Sequence, residues 1–398
     1  MLKIRNFDGD TKLLISTWAA ADGLGNVTLL AMPFMIGAFV VQLGFSLSEA
    51  GMVLSVEMGM IAVVSMAIAP LMSKLSRSQV AITGAIIAVI ANILCIYTTE
   101  YESILWFRAI SGLGYGLAMA AGNAAVASAD NPAQTFERKM ILFGLYQVVL
   151  MLSIPFILNI AGLEGFFAIL ALMAFLLIFL VMKLPSYATR SVDDREPNER
   201  QLSDNNSTVS ILAAALIILA MSIYSLREAF AWAFLERIGD SLSVSAQLVG
   251  VYMAVASVVG LVGPAIATRL RKYAGATRSA VLGMVLSGLV TYGIVVTDTQ
   301  NIYYAMIIVW PLIYYFTIPL IMGIATALDS KGRVAAATAG ALILAYSLGP
   351  VVAGFIYEKG GQDVIGNVTL AAMIVSVLLL LLASTKIKKE TISSDTSD

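Results

Sequence analysis

Long apolar stretches alternate with short polar breaks along almost the whole 398-residue chain. A helix needs about 20 apolar residues to cross the roughly 30 Å hydrocarbon core of a bilayer, and these stretches have about that length. They cover about residues 13–41, 48–72, 79–97, 103–127, 140–161, 165–184, 209–234, 244–268, 279–297, 302–327, 334–357 and 366–385. The pattern predicts an all-α polytopic membrane protein with twelve transmembrane helices.

One long polar segment divides these windows into two sets of six. It is rich in Asp, Glu and Arg and has few large apolar residues, so it cannot bury enough surface to fold alone. We therefore predict an N-terminal six-helix bundle at 1–184 and a cytoplasmic linker at 185–208. The predicted C-terminal bundle at 209–398 ends in a short cytoplasmic tail.

Prolines at matching places indicate that the two halves are repeats. Pro70 and Pro264 each end a window before a basic loop and lie 194 residues apart, and Pro155 and Pro350 lie 195 residues apart. Two pseudo-symmetric bundles of this kind, related by an axis along the membrane normal, place a shared site between them.

Composition and charge remove several classes of function. Hydrophobic residues make up 59% of the chain and charged residues 12%, and the net charge of −1 gives no reason to expect a nucleic-acid partner. Histidine is absent and Cys95 is the single cysteine, so we expect no metal site. The chain has no Walker A sequence and no clustered nucleophile and base, so we expect neither an ATP-driven pump nor an enzyme. We expect no cofactor.

The basic residues predict the orientation. Twenty of the 24 Lys and Arg residues fall on the side of the N-terminus, two fall in the opposite loops, and Arg108 and Arg227 fall inside windows. Because basic loops stay in the cytoplasm, both termini are predicted to be cytoplasmic in a multi-pass protein of the inner membrane.

The fourth window carries a recognisable motif. Its segment from Arg108 through Gly112 and Gly114 resembles the Arg-x-x-x-Gly-x-Gly motif in the fourth helix of the major facilitator superfamily. The resemblance implies that superfamily's fold, a secondary transporter, and a cavity-lining role for Arg108.

Two further segments are similar to motifs of the same family. The loop from Pro70 to Arg77 resembles its cytoplasmic gate loop, with Ser73 where the family has Asp, and with basic Lys74 and Arg77. The run from Gly349 to Gly354 is similar to an antiporter motif, which the family carries in its fifth helix. These segments favour the drug–proton antiporter branch.

Ionisable side chains at membrane depth are costly and are therefore functional candidates. Asp22 and Glu57 lie near the middle of their windows, and without histidine they are the candidates for proton coupling. Arg108 should point inward and be paired, with Asp22 as the expected partner and Glu57 as the second choice. The alternative for each is a fixed ion pair that joins two helices.

Other polar and aromatic residues are candidates for contact with a solute. Asn26 shares a helix face with Asp22, and Tyr115 shares one with Arg108. The alternatives are packing for the aromatic residues and interfacial snorkelling for Arg227 and Glu228. The predicted solute-binding residues are Arg108, Asn26, Tyr115, Gln147, Arg227, Glu228, Trp310, Tyr314 and Tyr346.

These residues predict a monomeric, proton-coupled transporter that works by alternating access, with protons, a small solute and membrane lipids as its partners. Export of an amphipathic compound is the favoured reaction. Uptake of an organic acid or sugar is the second interpretation, and two arginines converging on the cavity would favour an anion. A lipid flippase or scramblase and a non-transporting membrane sensor are interpretations of another class.

Overall fold

The computed structural model describes residues 7–129, 131–186, 211–329 and 332–395. The first of two compact units, Met1–Asp194, is helical in the part that the structure describes. A π-helical segment at Ala19–Leu24 and a 3₁₀ segment at Ala69–Ser73 lie between its α-helices. These α-helices are α1 (Phe7–Trp18), α2 (Val27–Leu43), α3 (Leu47–Ile68), α4 (Arg77–Ile96), α5 (Tyr101–Val126) and α6 (Pro132–Val181).

The second compact unit, Arg195–Asp398, is also helical where the structure describes it. Its helices are α7 (Ile211–Ser241), α8 (Ala246–Gly260), α9 (Gly263–Ala274), α10 (Ala276–Val296), α11 (Gln300–Leu328) and α12 (Arg333–Asp395). The predicted linker lies outside the described residues from position 187 onward.

Serine side chains begin several of these helices. Ser46 accepts a hydrogen bond from the Glu49 backbone N–H at 3.2 Å, and Glu49 returns one to the Ser46 N–H at 2.8 Å. This capping box satisfies donors that the first turn of α3 would otherwise leave without partners. Ser76 and Ser245 cap α4 and α8 in the same way through their hydroxyls.

Nine helices among the described residues are long and apolar enough to cross a membrane, or ten if α8 and α9, bent by 41°, form one span. The helix α6 covers nearly all of both predicted windows, 140–161 and 165–184, and its backbone is not helical at Gly162, which lies between the two. Its apolar part, Gln134–Val181, has 48 residues, far more than one crossing needs.

Glycine breaks divide the two longest helices. Gly162 interrupts α6 with φ 63° and ψ −167°, and Gly361 interrupts α12 with φ 67° and ψ −166°. These positive φ angles suit glycine, which lacks a Cβ. Nearly identical breaks, one in each unit, are what the predicted repeat requires. Two crossings in each of α6 and α12 would bring the count to twelve, which stays a prediction.

Glycines bring α4 and α5 into backbone contact. A Cβ on Gly84 would lie 2.3 Å from the Gly114 carbonyl oxygen, and one on Gly114 would lie 2.5 Å from the Gly84 oxygen. Small residues allow this approach between membrane helices, where close packing replaces the hydrophobic effect as the main attraction.

We expect Gly84→Ala to lower the melting temperature of the purified protein, because the methyl group must push α4 away from α5. Overpacking of this kind costs about 1–3 kcal/mol. The matched control is Gly293→Ala in α10, where the new Cβ would meet no atom closer than 3.4 Å. The control should melt at the wild-type temperature or above it, and equal melting of the two variants would contradict this packing.

Candidate functional site

A buried ion pair joins α3 and α5 in the N-terminal unit. Glu57 and Arg108 are both fully buried, and the Arg108 Nε donates to the Glu57 carboxylate at 2.9 Å. A second bond runs from the Arg108 Nη2 to the other carboxylate oxygen, so the contact is bidentate. The Arg108 Nη1 donates to Asn92 of α4 at 2.8 Å. Three helices therefore meet at one guanidinium group.

Hydroxyl groups complete the hydrogen bonding of this pair. Glu57 accepts from Ser111 at 2.6 Å and from Thr28 of α2 at 3.0 Å. Asn92, which binds Arg108, also donates to the predicted solute ligand Tyr115 at 2.9 Å. The Glu57 carboxylate thus accepts from two hydroxyls and a guanidinium. Together with the bond from Arg108 to Asn92, these contacts connect α2, α3, α4 and α5.

The expected pairing of Arg108 with Asp22 is wrong, and the second choice, Glu57, is the partner. The reason is depth along α5. Asp22 follows Ala20 and Ala21, which pack against Gly122 near the end of α5, whereas Arg108 lies near its beginning. Fourteen residues of helix separate positions 108 and 122, which is about 21 Å.

Asp22 pairs instead with Lys139 of α6, across 3.5 Å from carboxylate oxygen Oδ2 to Nζ. The Asn26 side chain donates to the other oxygen at 3.1 Å, and Oδ2 itself has no hydrogen-bond partner. Asp22 is 2% exposed and lies within the π-helical segment. Short π-helical segments are rare and often occur at functional sites. The distance between the charged groups is therefore longer in this pair, at 3.5 Å, than the 2.9 Å between Glu57 and the Arg108 Nε.

Lys139 is one of the twenty basic residues counted on the side of the N-terminus and lies just before the fifth predicted window, but the structure places it within a helix. Asn131 caps α6 by accepting from the Gln134 N–H at 3.1 Å, and Pro132 fills the first turn, so Lys139 lies two turns inside the helix. Its side chain is buried and donates to Asn123 at 2.9 Å. The Asn-Pro sequence is the signal that could have placed Lys139 on a helix.

The C-terminal unit holds a second buried pair, formed by neighbours on α7. The Arg227 Nη2 donates to Glu228 at 2.5 Å, and its Nη1 donates to Thr291 of α10 at 2.5 Å. Ser287 of α10 also bonds to Glu228. Both charged residues are fully buried. Interfacial snorkelling, the alternative for this pair, therefore does not occur.

Aromatic residues predicted to contact solute surround this second pair. The Trp310 indole of α11 donates to Glu228 at 2.5 Å, and the Tyr314 ring stacks on Tyr224 with centroids 6.4 Å apart. Tyr346 lies on α12 and is half-buried.

The remaining predicted residues lie apart from these clusters. Gln147 is buried on α6. Ser73 and Lys74 are exposed at the end of the 3₁₀ segment, whereas Arg77 is buried and donates to Ser128 at 2.5 Å. The three gate-loop candidates therefore differ in exposure, and their role at a gate stays a prediction. In the described part of the chain, no three acidic or cysteine side chains are grouped closely enough to hold a metal ion.

Comparison with known sequences defines the class of protein. A sequence model of the Major Facilitator Superfamily matches residues 15–343, well over half of the chain. The chain therefore belongs to the Major Facilitator Superfamily, and it is a multi-pass membrane protein of the secondary-transporter class. No curated protein sequence matches the chain.

Solved structures of transporters share the fold at low sequence identity. The nucleoside transporter NupG is 14% identical with a TM-score of 0.71, over 96% of this chain and 100% of that one. The tetrameric PepTSo2 is 15% identical with a TM-score of 0.71, over 96% and 98%. A D-xylose-proton symporter is 14% identical with a TM-score of 0.66, over 92% and 95%. At these identities the likeness shows the fold alone.

Proposed function

We propose that this chain is a proton-coupled secondary transporter in which Asp22 carries the coupling proton. The observation that carries the proposal is the loose ion pair of Asp22 with Lys139. A buried carboxylate with one oxygen lacking a hydrogen bond gains more from protonation than one that is fully bonded.

Protonation of Asp22 would link proton binding to a change in conformation. Once Asp22 is neutral, its ionic attraction to Lys139 is lost, while Lys139 keeps its bond to Asn123 and Tyr146 of α6 keeps its bond to the Gly23 carbonyl. The proton then binds more tightly to the conformation in which Asp22 and Lys139 are separated. Such a difference in affinity is what allows a ligand to shift a conformational equilibrium.

Glu57, the other acid predicted to couple protons, suits a different role. Its carboxylate is held at both oxygens by Arg108 and also accepts from Ser111 and Thr28. We assign the pair of Glu57 and Arg108 to positioning, since it fixes α2, α3, α4 and α5 relative to one another.

The buried charges favour a neutral or cationic solute. Arg108 and Arg227 each have a glutamate partner within their own unit, so neither guanidinium offers an unbalanced charge to an anion. We propose export of an amphipathic compound. Uptake of a sugar or organic acid is the second candidate, since a D-xylose-proton symporter shares the fold. A flippase would instead act on lipid and need no soluble solute.

The distribution of basic residues supports placement in the inner membrane with both termini in the cytoplasm. On this orientation Asp22 and Lys139 lie in the cytoplasmic half of the N-terminal unit, because Lys139 is close to the cytoplasmic beginning of α6.

A thermal-shift screen at two pH values tests the proposal. Purified protein is melted with a library of metabolites and drugs at pH 6 and pH 8. We expect at least one solute to raise the melting temperature by an amount that differs between the two pH values, because solute and proton binding are linked. A stabilising solute with equal effects at both, together with transport that ignores a pH gradient, would contradict proton coupling.

A further inference from the structure

A short basic helix at one end of the C-terminal unit presents positive charge to the outside. This helix, α9, follows α8 after a bend of 41°. Arg269, Arg271 and Lys272 lie in its second half, and Arg278 lies in the first turn of α10. The side chains of all four residues are exposed. We define the basic surface as these four residues together with Tyr273.

The described part of the chain does not neutralise the charge of the basic surface. None of its four cations takes part in an ion pair among the residues that the structure describes. The sequence also has no acidic residue from position 241 to position 297. Clusters of Lys and Arg beside a membrane helix attract anionic lipids, so this surface has the charge that suits such a partner.

The opposite face of α9 is fixed against the rest of the unit. A Cβ on Gly263 would lie 2.5 Å from the Leu312 carbonyl oxygen of α11, so the two backbones are in contact. Ala267 is buried in the apolar core of this unit, and Leu270 packs against the same core. This packing determines which side of α9 faces outward.

The outward face of α9 changes from apolar to basic along the helix. Ile266, Arg269 and Tyr273 follow one another at spacings of three and four residues, so they share a face. Ile266 and the preceding Val262 are exposed apolar side chains, and Tyr273 is 89% exposed. Tyrosine is enriched where the hydrocarbon of a membrane meets the headgroups. The order of this face, apolar and then basic, matches the acyl chains and the headgroup of an anionic phospholipid.

The length of α8 and α9 places the basic surface at the depth of the headgroups. About 20 helical residues cross the hydrocarbon core, so a crossing that begins at Ala246 ends near Ile266. Measured along the helix, Arg269 and Lys272 then lie about 5–9 Å beyond the core. The headgroup layer occupies roughly this distance on each side of a bilayer.

We propose that the basic surface docks the headgroups of anionic phospholipids, with acyl chains against Ile266 and Val262. Arginine can donate two parallel hydrogen bonds to one phosphate, which suits this partner. The corresponding loop of the N-terminal unit differs, because Lys74 is exposed there but Arg77 is buried and bonded to Ser128. The inference goes beyond the proposed function, since it depends neither on the solute nor on protons. On the proposed orientation, the lipid belongs to the cytoplasmic leaflet.

Lipid binding to the purified full-length protein tests this inference. Native mass spectrometry of the protein in detergent measures the affinity for added phosphatidylglycerol and for phosphatidylcholine with the same acyl chains. We expect phosphatidylglycerol to bind at least fivefold more tightly, and its binding to weaken as the salt concentration rises. Equal affinity for the two lipids would overturn the proposal.

Single charge removals locate the lipid on the protein. We expect Arg269→Gln and Lys272→Gln each to weaken phosphatidylglycerol binding about fivefold, the effect of one cation near headgroups. Arg269→Lys keeps the charge and should retain most of the affinity. Because these side chains are exposed, all three variants should melt at the wild-type temperature without lipid, which separates lost binding from misfolding.

The matched control is Lys74→Gln, which removes one exposed charge from the corresponding loop of the N-terminal unit. It should bind phosphatidylglycerol with wild-type affinity. An equal loss of affinity in Lys74→Gln and Arg269→Gln would mean that net charge, and not the basic surface, attracts the lipid. That result would overturn the proposal.

Two further measurements distinguish lipid from other anions. Inorganic phosphate in large excess should not displace phosphatidylglycerol, because the acyl chains contribute to binding; displacement would indicate a site for a free anion. The acidic residues of the predicted linker are the other candidate occupant. Asp193→Asn with Asp194→Asn should leave lipid binding unchanged. Lipid binding that occurs only in this double variant would assign the surface to the linker, and either contrary result would overturn the proposal.

Discussion

Replacing Arg108 with Ala should abolish solute movement and lower the stability of the protein by about 3–5 kcal/mol. The substitution leaves the Glu57 charge buried with two hydroxyls and no cation. It also removes the guanidinium that joins α3, α4 and α5. Arg108→Lys keeps the charge but loses the planar fork, so it should give an intermediate melting temperature. Melting in detergent and transport in proteoliposomes measure the two effects.

The control for this prediction is Arg237→Ala, which breaks a pair with Asp240 where the aspartate is 59% exposed. Exposed pairs contribute about 0–1 kcal/mol, so this variant should melt close to the wild type. Wild-type transport by Arg108→Ala, or equal melting of the two variants, would show that the buried pair does not position the helices.

Lys139→Gln should destabilise the protein by about 3 kcal/mol at neutral pH, and adding Asp22→Asn should restore most of the loss. The single change leaves the Asp22 carboxylate buried without its cation, whereas the double change removes both charges. Melting temperatures of the wild type, both single variants and the double variant form a double-mutant cycle. The loss of stability caused by Lys139→Gln should also be smaller at low pH, because a protonated Asp22 needs no counter-charge. Additive losses in the cycle would mean that the two groups do not interact.

The sequence predicted the fold because span length and hydropathy dominate the structure of a membrane protein. The fourth window, about 103–127, corresponds closely to α5 at Tyr101–Val126. The fifth and sixth windows lie on either side of the helix break at Gly162, although hydropathy did not reveal that a single glycine, without a loop, separates them. The helix breaks at Gly162 and Gly361 could have been suspected, because these glycines lie at nearly corresponding places in the two halves of the predicted repeat.

The pairing of buried charges was harder to predict. Because arginine is costly in lipid, the prediction that Arg108 is buried in an ion pair is confirmed. The identity of its partner depends on how far along its own helix each charged residue lies. That depth depends on the packing of Ala20 and Ala21 against Gly122, which hydropathy does not report. Lys139 was missed because the neighbouring Arg138 and Glu137 make the segment look like a loop.

The most direct test of the account compares two transport modes in the Asp22→Asn variant. Proteoliposomes are supplied with the solute identified by the pH-resolved thermal-shift screen. Counterflow, which exchanges labelled for unlabelled solute, needs alternating access but no net proton movement. Accumulation against a gradient needs coupling to the pH difference. We predict that Asp22→Asn retains counterflow and loses accumulation, whereas accumulation at the wild-type level would contradict the role of Asp22 as the proton carrier.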